Sequence, residues 1–236
     1  MSIGILSDAH GNLEAFDLTL RILEDQGVTS VYFLGDAVGY LPGPAVADAL
    51  VASEIPAVRG NHEAMLLDAR LRRDRDDVYR LGETAAAMSD ATVEAIRAWP
   101  DHRRVEFGFG PALLLHGSPT DSVFGYLYPD TDLSPIAASP ALAGVTVFMG
   151  NTHRPFVRRS GRTTFVNVGS CGLPRDVGGL GSACIVDDES GDIRILRFDI
   201  RAATSAALRR CGPVHPKTLE VLHREASEHV GELVPS

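Results

Sequence analysis

Five short apolar runs in this chain each end at a residue able to bind a metal ion or move a proton. That pattern constrains the fold more than any other feature. Residues 3–7 run into Asp8, with His10 two positions on, and 31–34 lead into Gly35-Asp36. Residues 57–58 lead into Arg59-Gly60-Asn61-His62-Glu63, 112–115 into His116, and 145–149 into Gly150-Asn151-Thr152-His153. Apolar runs alternating with amphipathic segments read as parallel strands covered by helices, an α/β chain. In open α/β sheets, functional groups gather beyond the carboxyl ends of the strands. If these strands are neighbours, their five tips converge on one crevice.

The rest of the chain fits such a scaffold. Leu13, Phe16, Leu20 and Leu23 share one helix face closed by Gly27, and a second helix is expected over 44–53. Residues 62–99 read as helical, with a charge-dense middle at 70–80 taken as a solvated face. Strands are expected at 105–109, 112–115, 145–149, 163–168, 182–187 and 192–198, the last two forming a hairpin about the polar turn 187–192. The stretch 118–143, rich in Pro, Ser and Ala, reads as a long ordered loop. Leu219, Leu222, Ala226, Val230 and Leu233 lie at helical spacing, which predicts a helix over 217–233 packed on a single domain spanning 1–236.

Composition excludes several classes. A formal charge of −9 argues against coating nucleic acid, while 44% apolar residues suffice for a core. Cys171, Cys184 and Cys211 lack ligand-like spacing and read as free thiols in a reducing compartment. The amino terminus has neither a cationic start nor a long apolar stretch, and no run approaches a membrane span. The expected location is the cytoplasm, with no membrane partner; oligomeric state is left open.

Imidazole, carboxylate and amide oxygen without thiolate suit divalent ions such as Mn, Fe, Co or Zn. His102, His215, His223 and His229 sit in polar surroundings and are set aside. Arg59 and Arg175 are candidate phosphate contacts, Arg59 with a surface ion pair as its alternative. Phe124, Tyr126 and Tyr128 follow His116, where they either stack on a substrate ring or anchor the loop. Asn12 reads as a helix cap and Cys171 as packing.

Asp8-Ala9-His10, Gly35-Asp36, Gly60-Asn61-His62-Glu63, His116-Gly117 and Gly150-Asn151-Thr152-His153 together resemble the five-block signature of calcineurin-like metallophosphoesterases, over about residues 1–170. Ser7-Asp8-Ala9-His10-Gly11-Asn12 and Gly35-Asp36-Ala37-Val38-Gly39-Tyr40 are similar to its bacterial YfcE-like and diadenosine-tetraphosphatase-like branch. The resemblance implies a four-layer α-β-β-α sandwich of two mixed sheets flanked by helices. It also implies two divalent ions, manganese foremost, with Fe, Co, Zn or Ni as alternatives. Asp8, His10 and His153 would hold the first, Asp36 would bridge, and Asn61 and His116 would hold the second. A metal-bridging hydroxide would attack phosphorus in line, with His62 protonating the leaving oxygen.

Two departures stand out. Asn151 occupies the position where the family usually has a second-metal histidine, so that ion would be held more weakly. Gly39-Tyr40 stands where Ser/Thr phosphoprotein phosphatases carry Asp-Arg. The expected activity is therefore hydrolysis of small, nucleotide-type phosphodiesters. The alternatives are a phosphomonoesterase or phosphoprotein phosphatase, or a non-catalytic scaffold with a degenerate metal site.

Overall fold

The computed structural model describes residues 1–72 and 75–236. β1 (Ser2–Leu6) and β2 (Val28–Phe33) pair in parallel through the crossover helix α1 (Leu13–Asp25). A parallel pair needs such a crossover because the chain must return to the starting edge of the sheet. Asn12 caps α1 as expected, its side-chain oxygen accepting from the Ala15 N–H at 3.2 Å. The sheet is completed by β8 (Leu180–Asp187), β9 (Ile193–Asp199) and β10 (Glu232–Leu233), in the order β10-β9-β8-β1-β2. β8 and β9 form the expected hairpin.

The second sheet has the order β3-β4-β5-β7-β6. Its strands are β3 (His102–Phe107), β4 (Gly110–Leu115), β5 (Thr146–Met149), β6 (Phe156–Ser160) and β7 (Thr163–Asn167). Both sheets mix parallel and antiparallel pairs. Their inner faces share one core, in which Ile3, Ile5 and Leu34 meet Ala112, Leu114, Phe148 and Val166. Strand side chains alternate between faces, so Leu6 and Phe33 join Phe16 and Leu23 of α1 outside the first sheet.

Outside the second sheet, Leu115, Val147 and Phe165 meet Leu127, Leu133 and Leu142. The α-β-β-α sandwich is thus lopsided. Over the second sheet its helical layer is the one-turn α7 (Ser134–Ala137) and the loop around it, which those leucines plug into place.

α2 (Ala45–Ser53) follows the expected bounds closely. The helical stretch 62–99 is cut into α3 (Asn61–Leu67), α4 (Asp76–Tyr79), α5 (Leu81–Ala87) and α6 (Asp90–Ala98). The cuts have local causes. Asp68 is extended and accepts from the Arg70 N–H, Arg80 is left-handed at φ 55°, and Ser89 caps the Thr92 N–H at 3.1 Å. Within the charge-dense stretch, Arg73 and Asp74 lie outside the described residues.

The helix expected over 217–233 is shorter: α9 (Pro216–Leu222) stops there, and residues 232–233 pair with β9 instead. The open backbone edge of β9 offers partners that an exposed helix end does not, and the Val234 N–H donates to the Arg197 carbonyl at 2.9 Å. Gly231 permits the approach at φ +107°, since a Cβ there would lie 2.6 Å from the Ile195 carbonyl oxygen. Besides β10 and the one-turn α7 within the stretch read as a loop, β6 and α8 (Arg201–Cys211) escape the sequence pattern, the latter packing on α1. Among the described residues no helix is long and apolar enough to cross a membrane.

Candidate metal centre

The residues that follow β1, β2, β4 and β5 meet in one buried cluster. Asp8 Oδ1 lies 3.1 Å from His153 Nε2, 3.7 Å from His10 Nε2 and 4.0 Å from His116 Nε2. Asp36 Oδ2 lies 3.4 Å from His116 Nε2, 3.6 Å from His10 Nε2 and 3.9 Å from His62 Nε2. Asn61 Oδ1 lies 3.0 Å from His116 Nε2. One donor atom each from Asp8, His10, Asp36 and His153 falls within 4.8 Å of the others.

The donor set fits a divalent cation. His10 Nδ1 faces the Val38 carbonyl at 3.0 Å, His116 Nδ1 faces Leu34 at 2.7 Å, and His153 Nδ1 faces Leu173. A carbonyl only accepts, so each Nδ1 carries the hydrogen, and in the neutral ring Nε2 presents a lone pair. The Nε2 atoms of His10 and His153 then oppose each other at 3.1 Å as two acceptors. Asp8 Oδ1 is buried beside them with no hydrogen-bond donor. Converging acceptors in a dry interior repel one another, and a cation placed among them satisfies all at once.

The carboxylates favour positive charge at the centre, which either a proton on His116 or a metal ion supplies. Burial works against charge on His116, yet Asp36 and Asp8 outweigh it and push its pKa up to about 10. Burial acts to raise Asp36, but His116 and His62 hold it well below the usual carboxylate range. His62 is lowered to about 4, chiefly by burial.

The backbone is shaped to aim these groups. Of the eight described non-glycine residues with positive φ, six are Asp8, His10, Asp36, Tyr40, Asn151 and His153. Such a concentration of left-handed backbone marks a functional constellation held by its surroundings. The other oxygen of each carboxylate is fixed: Asp8 Oδ2 accepts the Asn151 N–H at 3.0 Å and Asp36 Oδ1 the His62 N–H at 2.9 Å. Buried Glu63 accepts the N–H groups of Asp36, Ala37 and Gly60 at 2.8 Å each and of Val38 at 3.3 Å. It pins the loop after β2 to the start of α3. Asn167, unremarked in the sequence, steadies the ligand loop after β5 by donating to the Gly150 carbonyl at 2.6 Å.

His62 packs against Tyr40, with ring centroids 5.2 Å apart and planes at 25°, and against Tyr79 at 4.6 Å. Its Nδ1 is buried without a partner. Ring packing orients it where a carboxylate is lacking. The Asn151 side-chain NH₂ donates to the Gly125 carbonyl at 2.8 Å, which turns its oxygen away from that contact.

A cavity of about 160 Å³ opens over the cluster, and Asp36, His62, Asn151, Tyr126 and Arg175 line it. Arg175 donates to the Tyr40 hydroxyl at 2.6 Å, and its Nε is buried without a partner. Arg59 is absent from this cavity, contrary to its candidacy as a phosphate contact. Its N–H bonds the Pro100 carbonyl at 2.8 Å, which lays the segment along the turn between α6 and β3 and pairs its guanidinium with Asp101 at 2.6 Å. Tyr128, read with Tyr126 as a stacking or loop-anchoring residue, lines it too, and three lining residues had no assigned place: Tyr40, Arg75 and Tyr79. Arg75 belonged to the run read as a solvated face, but its guanidinium lies 5.1 Å from the Tyr79 ring centroid. Only the Gly39-Tyr40 departure hinted at any of them.

Two stacked mixed sheets whose strand ends deliver aspartate, histidine and asparagine into one buried cluster define the metallophosphoesterase class of fold. Residues 1–191 match the model of the calcineurin-like phosphoesterase superfamily domain, and the chain belongs to that superfamily. It is 25% identical to the uncharacterized protein MJ0912 of Methanocaldococcus jannaschii, over 85% of this chain and 89% of that one. A metallophosphoesterase from Sphaerobacter thermophilus superposes with a TM-score of 0.75 at 25% identity, covering 94% and 98% of the two chains. The hypothetical protein PH1004 from Pyrococcus horikoshii OT3 gives 0.79 at 18% identity, covering 94% and 97%.

Proposed function

We propose that this protein is a metal-dependent hydrolase of small phosphodiesters. The observation that carries the reading is the buried, donorless Asp8 Oδ1 facing the opposed Nε2 atoms of His10 and His153. Asp8, His10, Asp36 and His153 would hold one ion, and Asp36, Asn61, His116 and Asn151 a second, with Mn foremost among the candidates. Bound ions supply Lewis-acid charge and lower the pKa of a bound water. His62, at the cavity wall, would hand a proton to the departing ester oxygen. Arg175, with its unpartnered Nε, would meet a phosphate oxygen. The diester preference draws support from Gly39-Tyr40, which leaves His62 Nδ1 without a carboxylate partner. An archaeal phosphodiesterase that shares the fold at TM-score 0.51 and 18% identity suits the same reading. We read the chain as one domain, because α8, α9 and β10 pack back on the body that carries the centre.

The test is metal analysis with turnover of bis(p-nitrophenyl) phosphate and p-nitrophenyl phosphate in Mn²⁺. Faster diester cleavage with two ions bound is expected. Faster monoester cleavage would overturn the diester preference, and no turnover with both ions in place would favour a scaffold. His62→Ala should slow turnover by roughly 100- to 10,000-fold at unchanged metal content.

A further inference from the structure

The 160 Å³ cavity over the metal cluster is almost wholly polar and holds little beyond a phosphoryl group. A second cavity, of about 490 Å³, shares Asn61, Arg75, Tyr79 and Tyr126 with it, so the two adjoin. Its further wall is mostly apolar, made by Met65, Leu71 and Phe124 with Arg72, whose guanidinium is tied to the Met65 and Leu66 carbonyls at 2.9 Å. Leu71, Phe124 and Tyr126 are 42%, 40% and 50% exposed, and Tyr128 beside them is 44% exposed. These four are among only nine exposed large apolar side chains in the described residues. An apolar patch gathered at the mouth of a polar site marks a binding surface. Tyr79, Phe124 and Tyr126 offer flat ring faces. Arg75 stands at the junction over the Tyr79 ring, and Arg175 lines the polar side, in a chain of net charge −9.

We propose that this second cavity is a subsite for the aromatic base of a nucleoside phosphoester, an inference that rests on the phosphoesterase reading. The base stacks among Tyr79, Phe124 and Tyr126, while Arg75 and Arg175 face the ester's phosphate oxygens. One guanidinium at the junction and another in the polar cavity suit an anionic substrate with a ring attached and not a neutral hydrocarbon chain. Stacking on aromatic side chains is sequence-tolerant and strong enough to change affinity by about tenfold or more per base.

Calorimetry on the Mn²⁺-loaded protein would compare adenosine 5′-monophosphate with ribose 5-phosphate. The nucleotide should bind at least about tenfold more tightly. Phe124→Ala and Leu71→Asp, both at exposed positions, should each erase that ratio while leaving ribose 5-phosphate binding unchanged. Equal affinities in the wild type, or equal losses for both ligands, would overturn the subsite. So would a change of sedimentation from dimer to monomer in Phe124→Ala with nucleotide binding intact, which would make the patch a contact between copies. Turnover of methyl p-nitrophenyl phosphate, which carries no base, reports separately on the phosphoesterase reading.

Discussion

Asp8 uses its two oxygens differently, and this difference defines the centre. One is spoken for by the Asn151 N–H, while the other is left for a cation. Asn151 also presents a side chain whose NH₂ is held by Gly125, leaving an amide oxygen as its only ligand atom. Amide oxygen is a weaker donor than imidazole, so Asn151→His should tighten the second ion by roughly tenfold in a Mn²⁺ titration. Unchanged affinity would mean that Asn151 either already binds as well as imidazole or is not a ligand at all. Gly39 sets the position of His62: a Cβ there would stand 2.1 Å from His62 Nδ1, at φ +98°. If His62 has the proposed role of acid, Gly39→Ala should lower kcat at least about tenfold with metal content intact, because a displaced ring would miss the leaving oxygen. Full activity in that variant would show that the ring has room to move. The residues that meet in the buried cluster were legible, since each follows an apolar run. Tyr40, Tyr79 and Arg75 were not, because nothing local says that a tyrosine or a charged residue turns inward.

The elements divide by how local their causes are. β1, β2 and α1 follow from period and caps, and the structure keeps them with shifts of a few residues. The segment 62–99 kept its helical character but not its continuity, because the side chains of Asp68 and Ser89 compete for backbone N–H groups. β6 was missed because Arg158 and Arg159 disguise an edge strand, and α8 because only Thr204 and Ala207 are buried on it. Glu63 shows what joins elements at the site. Its four backbone bonds lock the loop after β2 to α3, and Gly60 lets the two backbones close, since a Cβ there would lie 2.2 Å from Asp36 Oδ1. Glu63→Gln puts an NH₂ against N–H donors and should destabilise the fold by about 3 kcal/mol in urea unfolding. A loss below about 0.5 kcal/mol would mean the loop is held by other contacts.

For the whole molecule, two sheets share a core and leave at one edge a group of acceptors that oppose one another. Such an arrangement stores its stability in the ion it binds. Free ion at about 100 times its Kd adds roughly 2.7 kcal/mol, and each kcal/mol moves the Tm of a chain this size by about 2–4 °C. Exhaustive chelation should thus lower the Tm by about 5–10 °C, and Mn²⁺ should restore it, as followed by calorimetry. A Tm indifferent to chelation would mean the cluster holds no structural share of the metal. The sequence by itself determined the α/β class and the residues of the buried cluster, because an apolar run and the residue that ends it are neighbours in the chain. Only the tertiary structure decided that Asn12 reaches Gly172, that Arg59 turns to Asp101 and that 232–233 leave a helix for β9. It alone placed Tyr79, Phe124 and Tyr126 around a cavity adjoining the one over the metal cluster. The reason is that a side chain's direction beyond a strand or helix end is set by partners tens of residues away, which no local period encodes.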